Sequence, residues 1–167
     1  AVTVSRFRGW KNQQRVSLAA PITSVQAANG IGKSSLLNAI EWCLFGAAVT
    51  TKGSGIDERQ GWELRTRTDR SDDEPTTVTV ELETVDGVAT VTRQRAAKAK
   101  VRDPGTFELT DPDGNVLTGE QAESWLIEAG LPDWETYRRA HCFHQEAARQ
   151  RIVDSGERNA VLAELLG

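Results

Sequence analysis

Residues 27–35 read Ala-Ala-Asn-Gly-Ile-Gly-Lys-Ser-Ser, and these residue types at this spacing can hold a triphosphate. A triphosphate packs several negative charges together. Backbone N–H groups surround it only where the loop bends so that successive amides point inward. Gly30 and Gly32 permit such bends without a Cβ clash. A helix opening near Lys33 adds unpaired N–H groups and the positive end of its dipole. The Lys33 ammonium can reach the outer phosphates, and the Ser34 hydroxyl is a hard oxygen ligand suited to Mg²⁺. Ala27 stands where a first glycine is usual, five residues before Gly32; it takes away backbone freedom but no N–H. The bland alternative is a glycine-rich helix start that binds nothing. The flanking patterns weigh against it.

Those patterns are the elements that must position the loop. Ile22 to Gln26 reads as a short strand before it, and Ser34 to Phe45 as a helix after it, with Leu36, Leu37, Ile40 and Leu44 on its apolar face. Residues 2–6 and 14–18 alternate weakly and are expected to pair as strands. Residues 46–75 read as a long connection with one short helix near Asp57 to Leu64. Thr77 to Glu83 alternates, Asp86-Gly87 signals a hairpin, and Val88 to Arg95 returns. A second hairpin is expected over Phe107 to Leu117. Thr118 with Gln121 reads as a capping box for a helix to Ala129 that buries Ala122, Trp125, Leu126 and Ala129 and ends at Gly130. Asp133 is expected to cap a helix through Tyr137. Asp154 with Glu157 is expected to cap a last helix with Val161, Leu162 and Leu165 on its apolar face.

The chain has 167 residues, enough for one domain with its own core. No apolar run approaches membrane-spanning length and no segment reads as a signal peptide. Cys43 and Cys142 are the only cysteines, so a disulfide framework is not expected and the default location is cytoplasmic. With no methionine in the chain, residue 1 is not expected to be the translational start. The net charge of −4 argues against a polyanion-binding domain as a whole, so any nucleic-acid contact must come from a local patch. Arg93, Arg95, Lys98, Lys100 and Arg102 form one run without an acid. It reads either as a solvated loop beyond the hairpin or as a contact for a phosphate backbone. His141, Cys142 and His144 crowd together, but on a strand His141 faces away from the other two, so three metal ligands do not converge. Ser155-Gly-Glu-Arg reads as a helix cap.

One part of a hydrolase is missing. Nucleotide hydrolysis of this class also needs an acid after an apolar strand, to hold Mg²⁺ and polarise the attacking water. No four apolar residues here are followed by Asp-Asp or Asp-Glu. Glu81 and Glu83 lie on the polar side of an alternating strand. The loop therefore reads as a fragment of an active site.

Arg6-Phe-Arg-Gly near the start, with Ala28-Asn-Gly-Ile-Gly-Lys-Ser-Ser-Leu-Leu-Asn-Ala-Ile-Glu-Trp-Cys-Leu-Phe-Gly, resembles the N-terminal ATPase head segment of the Rad50/SMC family, which includes RecF/RecN-like and phage-defence relatives. His144-Gln145-Glu146 and the Leu-Leu-Gly ending are similar to it as well. The resemblance covers nearly the whole chain and is weakest over 46–75 and 96–115.

The resemblance implies an α/β fold, the N-terminal lobe of an ABC-type P-loop ATPase head, with an antiparallel β subdomain and a C-terminal helix leading toward a coiled coil. One lobe would span 1–167: a P-loop core over 1–45, a variable connection over 46–75, a hairpin and helical part over 76–150, and the root of the coiled coil over 154–167. It implies ATP and Mg²⁺ as ligands. Asn29, Gly30, Ile31, Gly32, Lys33, Ser34 and Ser35 match the phosphate loop. Gln145 matches a glutamine that reaches Mg²⁺ or the attacking water, and Arg8 an early arginine near the phosphates. Lys33 and Gln145 would be the catalytic groups, Ser34 and Gln145 the metal ligands. The acidic strand and a signature motif would come from a C-terminal lobe. ATP would join two heads, DNA would be the client, a nuclease subunit is a further partner, and no membrane is implied. A self-contained nucleotide switch is the alternative, but the Asn-Lys-x-Asp motif of a guanine-binding switch is absent. A noncatalytic scaffold with a vestigial loop is the other.

Overall fold

The computed structural model describes residues 1–18, 20, 22–46, 48–52, 55–59, 73–99, 103 and 105–137. The chain divides into two compact units, one of residues 1–48 and 58–131, the other of 49–57 and 132–167. In the first unit, β1 (Val2–Ser5), β2 (Gln14–Val16), β5 (Thr76–Thr84), β6 (Gly87–Arg95), β7 (Thr106–Thr110) and β8 (Val116–Thr118) form one six-stranded sheet in the order β2-β1-β5-β6-β7-β8. Every pairing is antiparallel.

The register explains why these segments pair. Val16, Val2, Val80, Val91, Leu109 and Leu117 stand opposite one another strand by strand, so one apolar row crosses the whole sheet. The neighbouring polar row, from Arg15 through Thr3, Thr79, Thr92 and Glu108 to Thr118, lies on the other face. There the Thr79 and Thr92 hydroxyls meet at 3.0 Å. The hairpin joining β5 and β6 closes with Val85 and Asp86 between Thr84 and Gly87.

The apolar row is covered by helices. α1 (Lys33–Phe45) packs over β1, β5 and β6, and α2 (Glu120–Glu128) over β7 and β8. Phe7, Leu36, Ala39, Trp42, Cys43, Ala122 and Leu126 join the sheet valines in a single core. Removing such apolar area from water contributes roughly 25 cal/mol per Å².

Several expectations change. Residues 23–28 lie in no strand, and Ile22 and Val25 are 88% and 46% exposed. No strand among the described residues pairs with them, and Ile22 and Val25, three residues apart, do not share a strand face. On α1, Leu37 is exposed and Ile40 only half-buried, while Asn38 and Glu41 are buried. The inward stripe is wider than the apolar spacing suggested and carries polar atoms. Thr118 does not cap α2, because it ends β8 opposite Glu108; Gly119 takes the cap position and no side chain caps the helix. Ala129 is exposed, so Ala122 and Leu126 anchor α2 with the half-buried Trp125 packed beside them. Gly130 does end it, at φ 95.

The second unit contains most of β3 (Ala48–Lys52) and β4 (Gly55–Arg59), which pair as a two-stranded sheet, so residues 57–59 are strand and not the start of a helix. It also contains α3 (Trp134–Thr136), capped as expected by Asp133, whose carboxylate accepts from the Thr136 N–H at 3.0 Å. Trp134 stacks on Tyr137 at 6.2 Å between ring centroids. The last expected helix, from Asp154, lies outside the described residues.

Candidate functional site

The loop before α1 has the backbone that its glycines allow. Gly30 and Gly32 sit at φ 85 and φ 108, in the left-handed region that a Cβ disfavours. Gly32 is the N-cap of α1 and offers no side chain, so no cap bonds the first-turn N–H groups. The helix's own first bond runs from the Leu36 N–H to the Gly32 carbonyl at 3.1 Å. No acid stands in the first turn. The first-turn donors of Lys33, Ser34 and Ser35 therefore have no side-chain cap and the positive end of the dipole is uncompensated, which suits an anion.

Residues 22–31 are exposed, Asn29, Gly30 and Ile31 among them, and Ile31 is 66% exposed. Ser34 is exposed and Ser35 half-buried. The Lys33 ammonium folds back along its own loop, where Nζ donates to the Ala27 carbonyl at 2.6 Å and to the Ala28 carbonyl at 3.0 Å. A phosphate group would compete for the same protons as a charged acceptor, and charge-assisted bonds are about twice as strong as neutral ones.

The donor set suits a nucleotide with Mg²⁺. Ser34 supplies an uncharged hard oxygen, and among the described residues no group of three His, Cys, Asp or Glu could hold a metal ion. Mg²⁺ would then sit between Ser34, phosphate oxygens and water. Gln145, the second expected ligand, lies outside the described residues, as do His141, Cys142 and His144.

Arg8 lies in a turn that touches the loop. Arg6 and Arg8 both take left-handed backbone, at φ 54 and φ 51. The turn is held by paired backbone bonds between Phe7 and Trp10 at 3.1 and 2.9 Å, and by the Thr76 hydroxyl donating to the Arg6 carbonyl at 3.1 Å. The Arg6 guanidinium pairs with Glu74 at 2.8 Å. A Cβ built on Gly32 would lie 2.8 Å from Trp10 Nε1, so Trp10 packs directly against the phosphate loop. The sequence signal for Trp10 was only an aromatic residue after Arg-Gly.

The basic run is not a free patch. Arg93 and Arg95 are 6% and 3% exposed. Arg93 Nε donates to the Cys43 carbonyl at 3.0 Å, and its guanidinium lies 4.5 Å from the centroid of Phe107. Burial lowers the Arg93 pKa, against the pull of Cys43 and Glu123. Arg95 donates to the carbonyls of Asp103 and Ala99 at 3.0 and 3.1 Å. Lys98 pairs with Asp73 at 2.6 Å. Lys100 and Arg102 lie outside the described residues.

The opposite end of α1 is buried. Cys43 is a free thiol whose Sγ lies 3.3 Å from the Val78 carbonyl. Burial pushes its pKa up to about 12, with Arg93 pulling the other way. It is a core residue and not a nucleophile.

A family model described as an AAA domain matches residues 1–164. A search of curated proteins finds no match.

Proposed function

Because the chain belongs to the AAA domain family found in Rad50/SMC-like P-loop ATPases, we propose that this nucleotide-binding ATPase domain is the N-terminal half of an ATPase head whose hydrolysis needs a C-terminal lobe. The carrying observation is the loop at 27–35, where two left-handed glycines open an uncapped helix with no acid in its first turn. Lys33 leaves the Ala27 and Ala28 carbonyls to hold the outer phosphates of ATP. Ser34 binds Mg²⁺, and Gln145 and Arg8 join the site from their own segments. The stretch at 23–28, exposed and outside any strand, leaves room for a partner beside the loop. The acid that polarises the attacking water comes from that lobe. ATP clamps two such heads together and hydrolysis releases them. The helix from Asp154 leads into a coiled coil, DNA is the client, a nuclease subunit is a further partner, and the setting is cytoplasmic.

The test is a titration with ATP and Mg²⁺, followed by turnover with and without an added C-terminal lobe. Binding by the lone chain, with turnover only in the presence of the lobe, supports the reading. Robust turnover by the lone chain that is lost in Lys33→Ala would sink the half-site idea. No detectable binding would favour a noncatalytic scaffold.

A further inference from the structure

Arg6 and Arg8 hold backbone conformations that residues with a Cβ avoid unless the surroundings impose them. Here the surroundings do. Phe7, between them, is fully buried and tilted against Trp42 with ring centroids 5.8 Å apart. The result of this strained turn is the placement of Trp10. Its indole N–H is buried and has no acceptor among the described residues. It lies 2.8 Å from where a Cβ on Gly32 would be, at the N-cap of α1 and next to Lys33. Strain that aims an unsatisfied donor at a binding loop calls for a functional explanation.

We propose that Trp10 is a positioning residue of the phosphate loop: its indole N–H, which has no acceptor in the arrangement described, gains one when the loop rearranges around bound nucleotide, and so favours the bound state. This rests on the ATP-binding reading of the loop. The physical basis is an asymmetry between the two states. A buried donor without a partner destabilises the state that contains it. In the structure, Lys33 Nζ occupies the carbonyls of Ala27 and Ala28. Phosphate draws the ammonium away, frees those acceptors and lets the loop between them and Gly32 move. Any arrangement that supplies Trp10 with an acceptor is then populated at the expense of the one without it.

Trp10→Phe keeps a ring against Gly32 and removes the N–H. The expected result with a non-hydrolysable ATP analogue and Mg²⁺ is a roughly 5- to 50-fold rise in Kd by calorimetry, the range set by one hydrogen bond. The melting temperature of the unliganded variant should stay level or rise, because the unsatisfied donor is gone. In the wild-type chain, the ¹⁵N-indole resonance of Trp10 should move downfield on nucleotide addition. An unchanged Kd with an unmoved resonance overturns the proposal. So does a parallel loss of affinity and of unliganded stability, which marks a merely structural ring. If the variant does not fold, the wild-type resonance decides. If neither the wild-type chain nor Lys33→Ala binds the analogue, the reading of the loop itself has failed.

Discussion

At the C-terminal end of α1 the fold supplies partners for backbone groups, although the buried Trp42 indole N–H has no acceptor among the described residues, whereas at the N-terminal end neither a side-chain cap nor a first-turn acid is supplied. The Gly46 N–H closes the helix onto the Trp42 carbonyl at 2.9 Å, and Arg93 reaches across from β6 to the Cys43 carbonyl at 3.0 Å. A cation there also meets the negative end of the helix dipole. The helix has no basic residue of its own in its last turn, so the sheet provides one. At the other end Gly32 offers no cap, the first turn has no acid, and the Trp10 indole N–H has no acceptor among the described residues. Burial follows the same division: Trp42 and Cys43 are fully buried, while residues 22–31 are exposed. The backbone at one end of the helix is closed by the fold, and the other end is the one that the proposed nucleotide would complete. Stability and binding should therefore separate along 13 residues of one helix.

Arg93→Ala breaks the comparison most severely. It leaves the Cys43 carbonyl unpaired in the core and empties the space over Phe107. The expected loss is about 2–4 kcal/mol of unfolding free energy by denaturant titration, with nucleotide affinity in the folded fraction changed less than about twofold. Comparable losses of affinity and stability would mean that the two ends are coupled. Lys33→Ala is the converse. It should weaken ATP about 10- to 100-fold, as expected for a charged hydrogen-bonding group, and leave the denaturation midpoint level, because Lys33 bonds only to carbonyls of an exposed loop.

The two ends also differed in how far the sequence revealed them. The phosphate loop was legible because its chemistry depends on consecutive residues, and α1 and the β5–β6 hairpin because their periodicity is local. The partners of the buried end were not. Arg93 and Arg95 read as part of a surface run, yet they continue the inward alternation of Ala89 and Val91, and the register sets Arg93 opposite Val78 and Phe107. Alternation carried four residues past Val91 would have marked both. Trp10 gave no such signal, because its place depends on two arginines in left-handed backbone, which propensity does not anticipate. The capping box at Thr118 failed for a tertiary reason: β8 needed that residue for pairing. The strand expected at 22–26 has its two apolar residues three apart, on opposite faces, and no strand among the described residues pairs with it.

Gly32→Ala sharpens the comparison within the open end. The new methyl would lie 2.8 Å from Trp10 Nε1 on a backbone at φ 108, whereas at Gly30, with φ 85, nothing lies within 4 Å. Both substitutions carry backbone strain, and only the first adds a clash. Gly32→Ala should cost about 1–3 kcal/mol and Gly30→Ala about 1 kcal/mol by denaturation. Equal costs would show that Trp10 does not press on the loop.

The last effect belongs to the buried end and appears only in alkali. Burial raises the Cys43 pKa from 9.0 to about 12, so the folded chain holds the thiol proton more tightly than the unfolded one. Between those values the unfolded state has released the proton and the folded state has not. Stability from this group is thus complete below about pH 9 and declines as pH rises toward 12. The loss should be about 1.4 kcal/mol one pH unit above the lower value. Since other groups titrate there too, the measurement is the difference in slope between the wild-type chain and Cys43→Ala across that window. A matching slope in the variant would mean that the thiol end of α1 opens to water well before the protein unfolds. The contrast between a closed and an open end would then be one of degree.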